Sequence, residues 1–555
     1  MSSRSKLAGA IVGTILLAAA VYLVGNHSVA LFDRDEPRYA ECSREMLKGS
    51  PEHPGPNWIV PRFLGELRTA KPPGIYWLQA SVMTRLGDTV FAARLPSAIA
   101  MVLTLALYAI AIWKLAGPSR AAWATLILAS SMMTIVSAKA CLTDAVLLLF
   151  ITTAQLCLYA IYRGRGSWMV VNMLGLSIGC AGLVKGPVVL AVLGTTLIAL
   201  AVIHVFTRRP RATVMLPVDP EQQLLSTTGK IVLTIAIVVG LVGPWLWAIN
   251  RAEPSFLPTI IGHDVVNRMK TGLEGHSAPP GYHLLTIWGV YFPWSIFLPV
   301  TLIFAWRFRH LPLVRFALAT VIGNFIFFEC VKTKLPHYLL PIYPWLALLS
   351  ADAFVRCLRG RYQDLVNGLA RNALTVWGGL MVLIGLAPWL LIKTVPVGPV
   401  AALSATAVVV GVLVIRFFRA RQPKAGLLTL GLGNFAIVSV IFGLFLPHVD
   451  VLRTPVLAGA ELRRLGLTDA GAVQMLDYKE PSLAFYQGGT IREESNDQYL
   501  AQTDPLLWPR WIVLTHRVWD SVPPDARARL QAVAEVEGWW YPKGRRVEVL
   551  VVRKR

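Results

Sequence analysis

A group of charged residues directly follows the first long apolar run of the chain. Residues 31–40, LFDRDEPRYA, hold three carboxylates and two arginines. A carboxylate at such a boundary can accept a proton or orient a nucleophile. We therefore take Asp35, with Glu36 beside it, as candidate catalytic residues, and Arg38 and Tyr39 as candidate contacts to a substrate. The first acid of the group, Asp33, has the alternative role of capping the following helix.

Further ionisable residues stand at the ends of later apolar segments. They are Lys71 in TAKPPGIYW, Asp144 in KACLTD, Lys185 in GLVKGPV, and Lys332 with Lys334 before LPHYLLPIYP. Taken singly, Asp144 could be an acidic first-turn residue and Lys185 an anchor at the membrane surface. Taken together, basic residues from separate segments on one membrane face are suited to holding a phosphate or pyrophosphate.

A loop with the sequence IGHDVVNRM adds His263, Asp264 and Arg268 to this set. A metal site built from His263 and another loop histidine stays open, although no spacing matches a short metal-ligand motif. The chain has no P-loop and no dinucleotide fingerprint. We therefore expect no nucleotide or other required cofactor, and an activated substrate that arrives attached to a lipid.

The composition is typical of a helical membrane protein. Of the 555 residues, 55% are hydrophobic and 15% are charged, with a mean hydropathy of +0.56. A soluble domain has about 25% charged residues, and a span needs about twenty apolar ones. Runs of this kind lie at residues 231–249, 284–306, 373–392, 399–418 and 427–446. The sequence predicts an all-α polytopic domain of about thirteen spans over residues 1–446. Residues 447–555 have a different composition and form a separate C-terminal domain.

Basic residues cluster in alternate short loops, which indicates a cytoplasmic N-terminus by the positive-inside rule. These loops lie at residues 4–6, 114–120, 163–165, 208–211, 307–315, 356–361 and 416–424. The net charge of +22 is therefore attributed to loops facing anionic lipid, and not to a nucleic-acid partner. This orientation places the loops 25–90 and 250–283 and the tail 447–555 outside, with interfacial helices expected in the first loop.

The C-terminal tail reads as a small α/β domain. The segments AVQMLDY, WIVLTHR and RRVEVLVVRKR predict strands, and DARARLQAVAEV predicts an amphipathic helix. Strands alternating with helical patterns favour a compact layered domain.

Four motifs resemble those of lipid-dependent GT-C glycosyltransferases. They are RDEPRYAECSREML, KPPGIYW, LTDAVLLLF and KTKLPHYLLPIYPWLAL. The greatest similarity is to the 4-amino-4-deoxy-L-arabinose (aminoarabinose) transferase family, which modifies lipid A. This resemblance implies transfer of aminoarabinose from undecaprenyl phosphate to a lipid A phosphate, with inversion at the anomeric carbon, at the periplasmic face of the inner membrane. Such a modification of lipopolysaccharide is linked to polymyxin resistance.

The resemblance also implies roles for individual residues. Asp35 matches the catalytic acid of the first loop, and Lys71 matches a lysine that contacts a phosphate. Asp144 matches the acid that opens the fourth span and is a third candidate catalytic residue. Arg268 matches a basic residue of the later external loop. Tyr343, with the Lys332 and Lys334 pair, belongs to the motif before the tenth span. His337 stands where other members have a different residue, so it receives no role.

Two other functions remain open at this point. A protein O-mannosyltransferase, or another transferase using a polyprenyl-phosphate sugar, would share the fold but require Asp35 as a true base for a hydroxyl acceptor. A transporter of a lipid-linked substrate would place ionisable residues near the bilayer midplane, whereas here they crowd the segment ends. The sequence identifies neither the sugar nor the oligomeric state.

Overall fold

A computed structural model gives the fold of most of the chain. It describes residues 3–32, 34–207, 220–260, 262, 278–358, 363–391, 395–449, 452–469, 471–494 and 499–555. The first part is helical, and most of its buried apolar residues form one continuous core.

Most helices of the first part follow one another with short connections. In chain order they are α1 (Ser3–Leu23), α2 (Asp35–Lys48), α3 (Gly74–Leu86), α4 (Val90–Ala116), α5 (Pro118–Ser130), α6 (Met132–Lys139), α7 (Asp144–Tyr162), α8 (Trp168–Lys185), α9 (Val188–Thr207), α10 (Pro220–Ala252), α11 (Phe256–Thr259), α12 (Tyr282–Val290), α13 (Leu298–Arg307), α14 (Pro312–Cys330), α15 (Tyr343–Leu358), α16 (Gln363–Leu391), α17 (Val397–Arg419) and α18 (Pro423–Val440). Short 3₁₀ segments, Trp294–Phe297 and Pro336–Ile342, precede α13 and α15.

Within the described residues, ten helices are long and apolar enough to cross a membrane, and up to twelve if two bent pairs each count as one span. One bent pair joins α5 to α6 at 59°, and the other joins α12 to Trp294–Arg307 at 118°. The predicted span at residues 284–306 is therefore broken in two. A shorter apolar stretch, Val376–Leu390, lies in α16 within another predicted span. The predicted all-α membrane architecture is confirmed.

The first loop contains the two helices expected there, α2 and α3, and a hairpin of β1 (Arg62–Phe63) and β2 (Glu66–Leu67). Helix α2 has two acids in its first turn and a lysine in its last, which suits the helix dipole. It ends at Gly49, whose φ is +81°. A Cβ there would lie 2.5 Å from backbone atoms of the next turn, so only glycine fits.

The C-terminal domain is built on a five-stranded mixed sheet with the order β4–β3–β5–β7–β6. Strand β3 is parallel to β4 and β5, while β7 is antiparallel to β5 and β6. Its elements are α19 (Thr454–Arg464), β3 (Val473–Met475), α20 (Pro481–Gln487), β4 (Arg492–Glu493), α21 (Tyr499–Gln502), β5 (Trp511–Thr515), α22 (His516–Ser521), α23 (Pro524–Ala528), β6 (Leu530–Trp540) and β7 (Arg545–Lys554).

One prediction for this domain is wrong. The stretch DARARLQAVAEV was expected to be one amphipathic helix, but only its start is helical, in α23. From Leu530 to Trp540 the chain is strand β6, which pairs with β7 with one register shift between Ala532 and Ala534. Leu530, Val536 and Trp540 of β6 are buried, so tertiary packing outweighs the helix propensity of this alanine-rich segment.

The C-terminal domain packs against the first loop through α20. The Leu31 amide donates to the Tyr486 hydroxyl at 2.9 Å, and Arg44 Nη1 of α2 donates to the Phe485 carbonyl at 3.0 Å. The Arg44 guanidinium also lies over the Phe485 ring, 4.9 Å from its centre. The domain therefore holds α2 in place, and α2 begins with Asp35.

Candidate active site

A cavity of about 440 Å³ lies where the ends of α7, α8, α9 and α14 meet the segment before α15. This volume is within the range of small-molecule sites. One part of its wall is ionic, with Lys71, Asp144, Lys185 and His337. Most of the remaining wall is apolar and includes Leu147, Leu148, Val188, Phe327, Phe328 and Leu340.

An ion pair between consecutive helices forms the centre of the ionic part. Asp144 begins α7 and Lys185 ends α8, and Lys185 Nζ lies 2.7 Å from Asp144 Oδ1. The helix dipoles favour both charges, because the acid is at an N-terminus and the cation is at a C-terminus. His337 Nε2 lies 3.8 Å from the other carboxylate oxygen, and Lys185 Nζ is 5.4 Å from the centre of the Tyr338 ring.

Lys71 reaches the same cavity from the loop before α3. Its position follows from a close approach of α3 to α8, since a Cβ on Gly74 would lie 2.7 Å from the Leu183 carbonyl oxygen. Lys71 Nζ donates to the Ala70 carbonyl at 2.7 Å, and its charge acts on Asp144. The structure thus brings together two predicted residues that are 73 positions apart, Lys71 and Asp144.

Asp35 and Tyr39 lie in the first turns of α2, and neither of them lines the cavity. Asp35 is exposed, whereas Tyr39 is buried one turn later, 5.7 Å from Tyr76 between ring centres and 5.5 Å from Arg68. Burial raises the pKa of Tyr39 well above its usual value; Tyr76, Asp35 and Asp144 add to this rise, and Arg68 opposes it. Tyr39 is therefore a neutral phenol, and both carboxylates act on it.

Arg38 lies near two acids of the C-terminal domain. Burial raises the pKa of Glu480 and of Glu493, and the charge of Arg38 acts against that rise in both cases. Arg34, on the preceding turn, lies 3.8 Å from Glu480. Arg34 and Arg38, the two arginines of residues 31–40, therefore interact with acids of the C-terminal domain.

Glu36 lies outside the cavity wall. Its carboxylate is 3% exposed and binds Arg94 through both oxygens, at 2.7 Å to Nη2 and 3.0 Å to Nε. The same oxygens accept from the amides of Phe32 and Cys141, at 2.9 and 2.8 Å. This geometry differs from what a catalytic acid needs, because the contacts hold α2 to α4, to the segment before α2 and to the loop before α7. It favours a structural role for Glu36.

The motif KTKLPHYLLPIYPWLAL before α15 lines the cavity through His337 and Tyr338, but not through its predicted residues. Lys334 is buried and donates to the Ala278 carbonyl at 3.0 Å, while Lys332 is exposed. Tyr343 is fully buried, with its ring 5.2 Å from that of Tyr291. None of these three predicted residues lines the cavity in the described part of the chain.

The later external loop lies partly outside the described residues, and His263, Asp264 and Arg268 are in the part that is not described. Among the residues that are described, one group of potential metal ligands has its ligand atoms within 4.8 Å of one another: His516, Glu535 and Glu548. These three belong to the C-terminal domain, and none lines the cavity.

Sequence reasoning gave too little weight to Lys185 and His337, both of which face Asp144. For Lys185 a signal was present, because α7 and α8 are consecutive helices joined by a short loop. An acid at the start of the first and a base at the end of the second must then lie at the same membrane face. His337 carries no comparable signal, since a 3₁₀ segment positions it.

A bundle of apolar helices, an ionic cavity with apolar walls at their ends, and a small α/β domain define a multi-pass membrane protein of the GT-C type. The family described as dolichyl-phosphate-mannose-protein mannosyltransferase matches residues 10–260. Two crystal structures of ArnT from Cupriavidus metallidurans, one bound to undecaprenyl phosphate and one in the apo state, share this fold. Each has a TM-score of 0.72 and covers 98% of both chains, at 20% and 19% identity respectively.

Curated relatives place the chain more narrowly. The undecaprenyl phosphate-alpha-4-amino-4-deoxy-L-arabinose arabinosyl transferase of Yersinia enterocolitica is 30% identical over 405 residues, which are 71% of this chain and 67% of the relative. The enzyme of the same name from Serratia proteamaculans is 31% identical over 352 residues, 62% of this chain and 59% of the relative, so less than two thirds of that relative is spanned. The chain belongs to this arabinosyl transferase family.

Proposed function

We propose that the chain is an inverting glycosyltransferase that moves 4-amino-4-deoxy-L-arabinose from undecaprenyl phosphate to a lipid A phosphate. The observation that carries this proposal is the division of the cavity wall into an ionic part and an apolar part. A polyprenyl phosphate has the same division, with a charged head and an apolar chain. The names of the curated relatives and the ligand of the Cupriavidus ArnT crystal structure support the choice of lipid.

Lys71 and Lys185 are the proposed contacts to the donor phosphate. When the sugar leaves, this phosphate gains negative charge, and positioned cations stabilise the transition state in a site with little water. Lys185 is oriented by Asp144, so the carboxylate sets the direction of the ammonium group. Arg268 is proposed as a further cation for the same phosphate.

Asp35 is proposed to orient the acceptor or to stabilise positive charge at the anomeric carbon. A phosphate acceptor hardly needs a strong base, because its second pKa is about 6 and it is mostly anionic near neutral pH. The exposed position of Asp35 at the start of α2 suits contact with an incoming acceptor. Tyr39 and Arg68 are proposed to contact the sugar.

We infer that the reaction takes place at the periplasmic face of the inner membrane, with the N-terminus in the cytoplasm and residues 447–555 in the periplasm. The alternation of basic loops supports this orientation. Undecaprenyl phosphate and lipid A are the proposed partners, and no metal is required for the transfer step.

The proposal is tested by mass spectrometry of lipid A from cells that lack the protein and are complemented with variants. Wild-type protein should add aminoarabinose, and Lys71→Ala should reduce the modified fraction by about 100-fold, as expected for loss of a transition-state cation. Lys48→Ala is the matched control, because Lys48 lies in the same loop but pairs with Asp88 at 2.5 Å, away from the cavity wall. Full activity of a well-folded Lys71→Ala protein would refute the assignment.

A second candidate is a protein O-mannosyltransferase, which the match over residues 10–260 favours. The same cells distinguish the two functions. Unchanged lipid A, together with loss of sugar from cell-envelope proteins, would replace the first proposal by the second. In that case Asp35→Asn should change the pH dependence of transfer, because a hydroxyl acceptor needs a base.

A further inference from the structure

A second charged region lies at the opposite end of the bundle from the cavity. Helix α14 reaches the cavity with Phe327 and Phe328 near its C-terminus, so Arg315 near its N-terminus is at the far end. Helix α15 begins directly after the cavity residues Leu340 and Pro341, so Arg356 in its last turn is also at the far end. We call Arg120, Arg309, Arg315 and Arg356 the far-face arginine cluster.

Two of these arginines share one carboxylate. Asp352 of α15 binds Arg120 Nε through Oδ1 at 2.6 Å and Arg356 Nε through Oδ2 at 2.7 Å. The Arg356 guanidinium also stacks on Phe308, 3.7 Å from the ring centre. Phe308 lies in the short connection between α13 and α14, so this connection joins the two halves of the cluster.

The other two arginines are held by neutral groups. Arg315 donates from Nε to the Arg309 carbonyl at 3.3 Å and from Nη2 to the His310 carbonyl at 3.2 Å, while its Nη1 lies 3.2 Å from His204 Nδ1. Arg309 lies over the Trp306 ring, 4.5 Å from the centre. In the part of the chain that the structure describes, neither Arg309 nor Arg315 forms an ion pair with a carboxylate.

The cluster therefore carries four positive charges against the one negative charge of Asp352. The contacts described above hold the four arginine side chains in position. Guanidinium groups of this kind match the oxygens of a phosphate diester. Trp306 and Leu311, which flank the connection, are 55% and 36% exposed. An exposed tryptophan at the end of a spanning helix is typical of the headgroup level of a bilayer.

We propose that the far-face arginine cluster binds the headgroup phosphate of an anionic phospholipid. The ligand class follows from the charge of the arginines together with the exposed apolar side chains beside them, since basic pockets between helix ends receive such headgroups. The site is separate from the cavity, and its lipid is a structural partner of the bundle and not a substrate.

The test is native mass spectrometry of the full-length protein, purified in detergent and titrated with phosphatidylglycerol. The double variant R309Q/R315Q should bind the lipid about tenfold more weakly than wild-type protein, because two cations near the headgroup are removed. The matched control is R419Q/K424Q, which removes the same charge from the end of α17 and the start of α18. Arg419 and Lys424 are exposed and lie outside the cluster.

Equal weakening in the control variant would overturn the proposal, since it would show general attraction by basic loops. Displacement of the lipid by millimolar glycerol phosphate would also overturn it, because the site would then recognise a soluble phosphate. The melting temperature of R309Q/R315Q without added lipid decides whether the variant is folded. If it is unfolded, R309K/R315K replaces it: lysine keeps the charge but lacks the planar fork, and unchanged binding by this variant would overturn the assignment of the guanidinium groups.

Discussion

Two buried ion pairs close to each other in the first half of the bundle have similar chemistry and different surroundings. Glu36 binds Arg94 and Asp144 binds Lys185, each at 2.7 Å. The side chains of the first pair are 3% and 1% exposed, and those of the second are 9% and 13% exposed. Only the second pair lines the cavity. Access to a ligand, and not the presence of a buried acid, thus separates the candidate catalytic pair from the structural one.

The hydrogen bonds of the two pairs differ in the same way. The Arg94 guanidinium binds Glu36 and also donates to the carbonyls of Val29 and Ala30, at 2.8 and 2.9 Å. Its donors are therefore used within the protein. A lysine ammonium has three donors, and in the described residues Lys185 makes one hydrogen bond, to Asp144. The Lys185 ammonium can thus donate a hydrogen bond to a phosphate oxygen without breaking the pair.

The largest expected effect is a loss of stability when the buried Glu36–Arg94 ion pair is broken. Arg94→Ala leaves Glu36 charged and buried, and we expect it to lower the free energy of unfolding by about 3–5 kcal/mol. The measurement is thermal unfolding in detergent. The double variant Glu36→Leu with Arg94→Met should recover most of the loss, because no buried charge remains. An unchanged melting temperature for Arg94→Ala would show that the pair does not hold α2 to α4.

A smaller effect on stability, together with a loss of activity, is expected from the pair at the cavity. Asp144→Asn removes the charge that orients Lys185, and we expect transfer to fall by about 100-fold, or about 2.7 kcal/mol of transition-state stabilisation. The melting temperature should fall less than in Arg94→Ala, because Asp144 and Lys185 line the cavity whereas Glu36 and Arg94 do not. Transfer from a purified lipid-linked donor provides the measurement.

Asp352→Asn is the matched control for this change. Asp352 is also a buried membrane carboxylate bound to basic side chains, but it lies at the far face of the bundle. Its substitution should lower stability and leave the rate per folded molecule unchanged. Equal loss of that rate in both variants would mean that any buried carboxylate supports transfer, and that the cavity pair has no special role.

The contrast between the two pairs also explains what the sequence could predict. Apolar runs and flanking charges locate Lys71 and Asp144, because both features are local and the bilayer fixes which segment ends share a face. The partner of Glu36 is 58 positions away in α4, and its identity depends on how α2 packs. The β6 strand was missed for the same reason, since its pairing with β7 overrides a local helical preference.

The smallest expected effect comes from an ion pair that is open to solvent. Arg492 of the C-terminal domain binds Glu52 of the first loop at 2.6 Å, with side chains 19% and 49% exposed. This hydrogen bond is the main cause that lowers the pKa of Glu52 to about 2. Because the folded-state pKa lies below the unfolded value of about 4.5, the stabilisation is present above pH 4.5 and is lost as the pH falls towards 2.

Solvent screens this pair, so Arg492→Gln should lower the free energy of unfolding by less than about 1 kcal/mol at pH 7. The difference between variant and wild-type protein should shrink further in about 1 M salt, where charges are screened within a few ångströms. Thermal unfolding at pH 7 and pH 3, each in low and high salt, measures both trends. A loss as large as that of Arg94→Ala, unchanged by salt, would mean that the contact between the domains is sealed from water like the Glu36 pair.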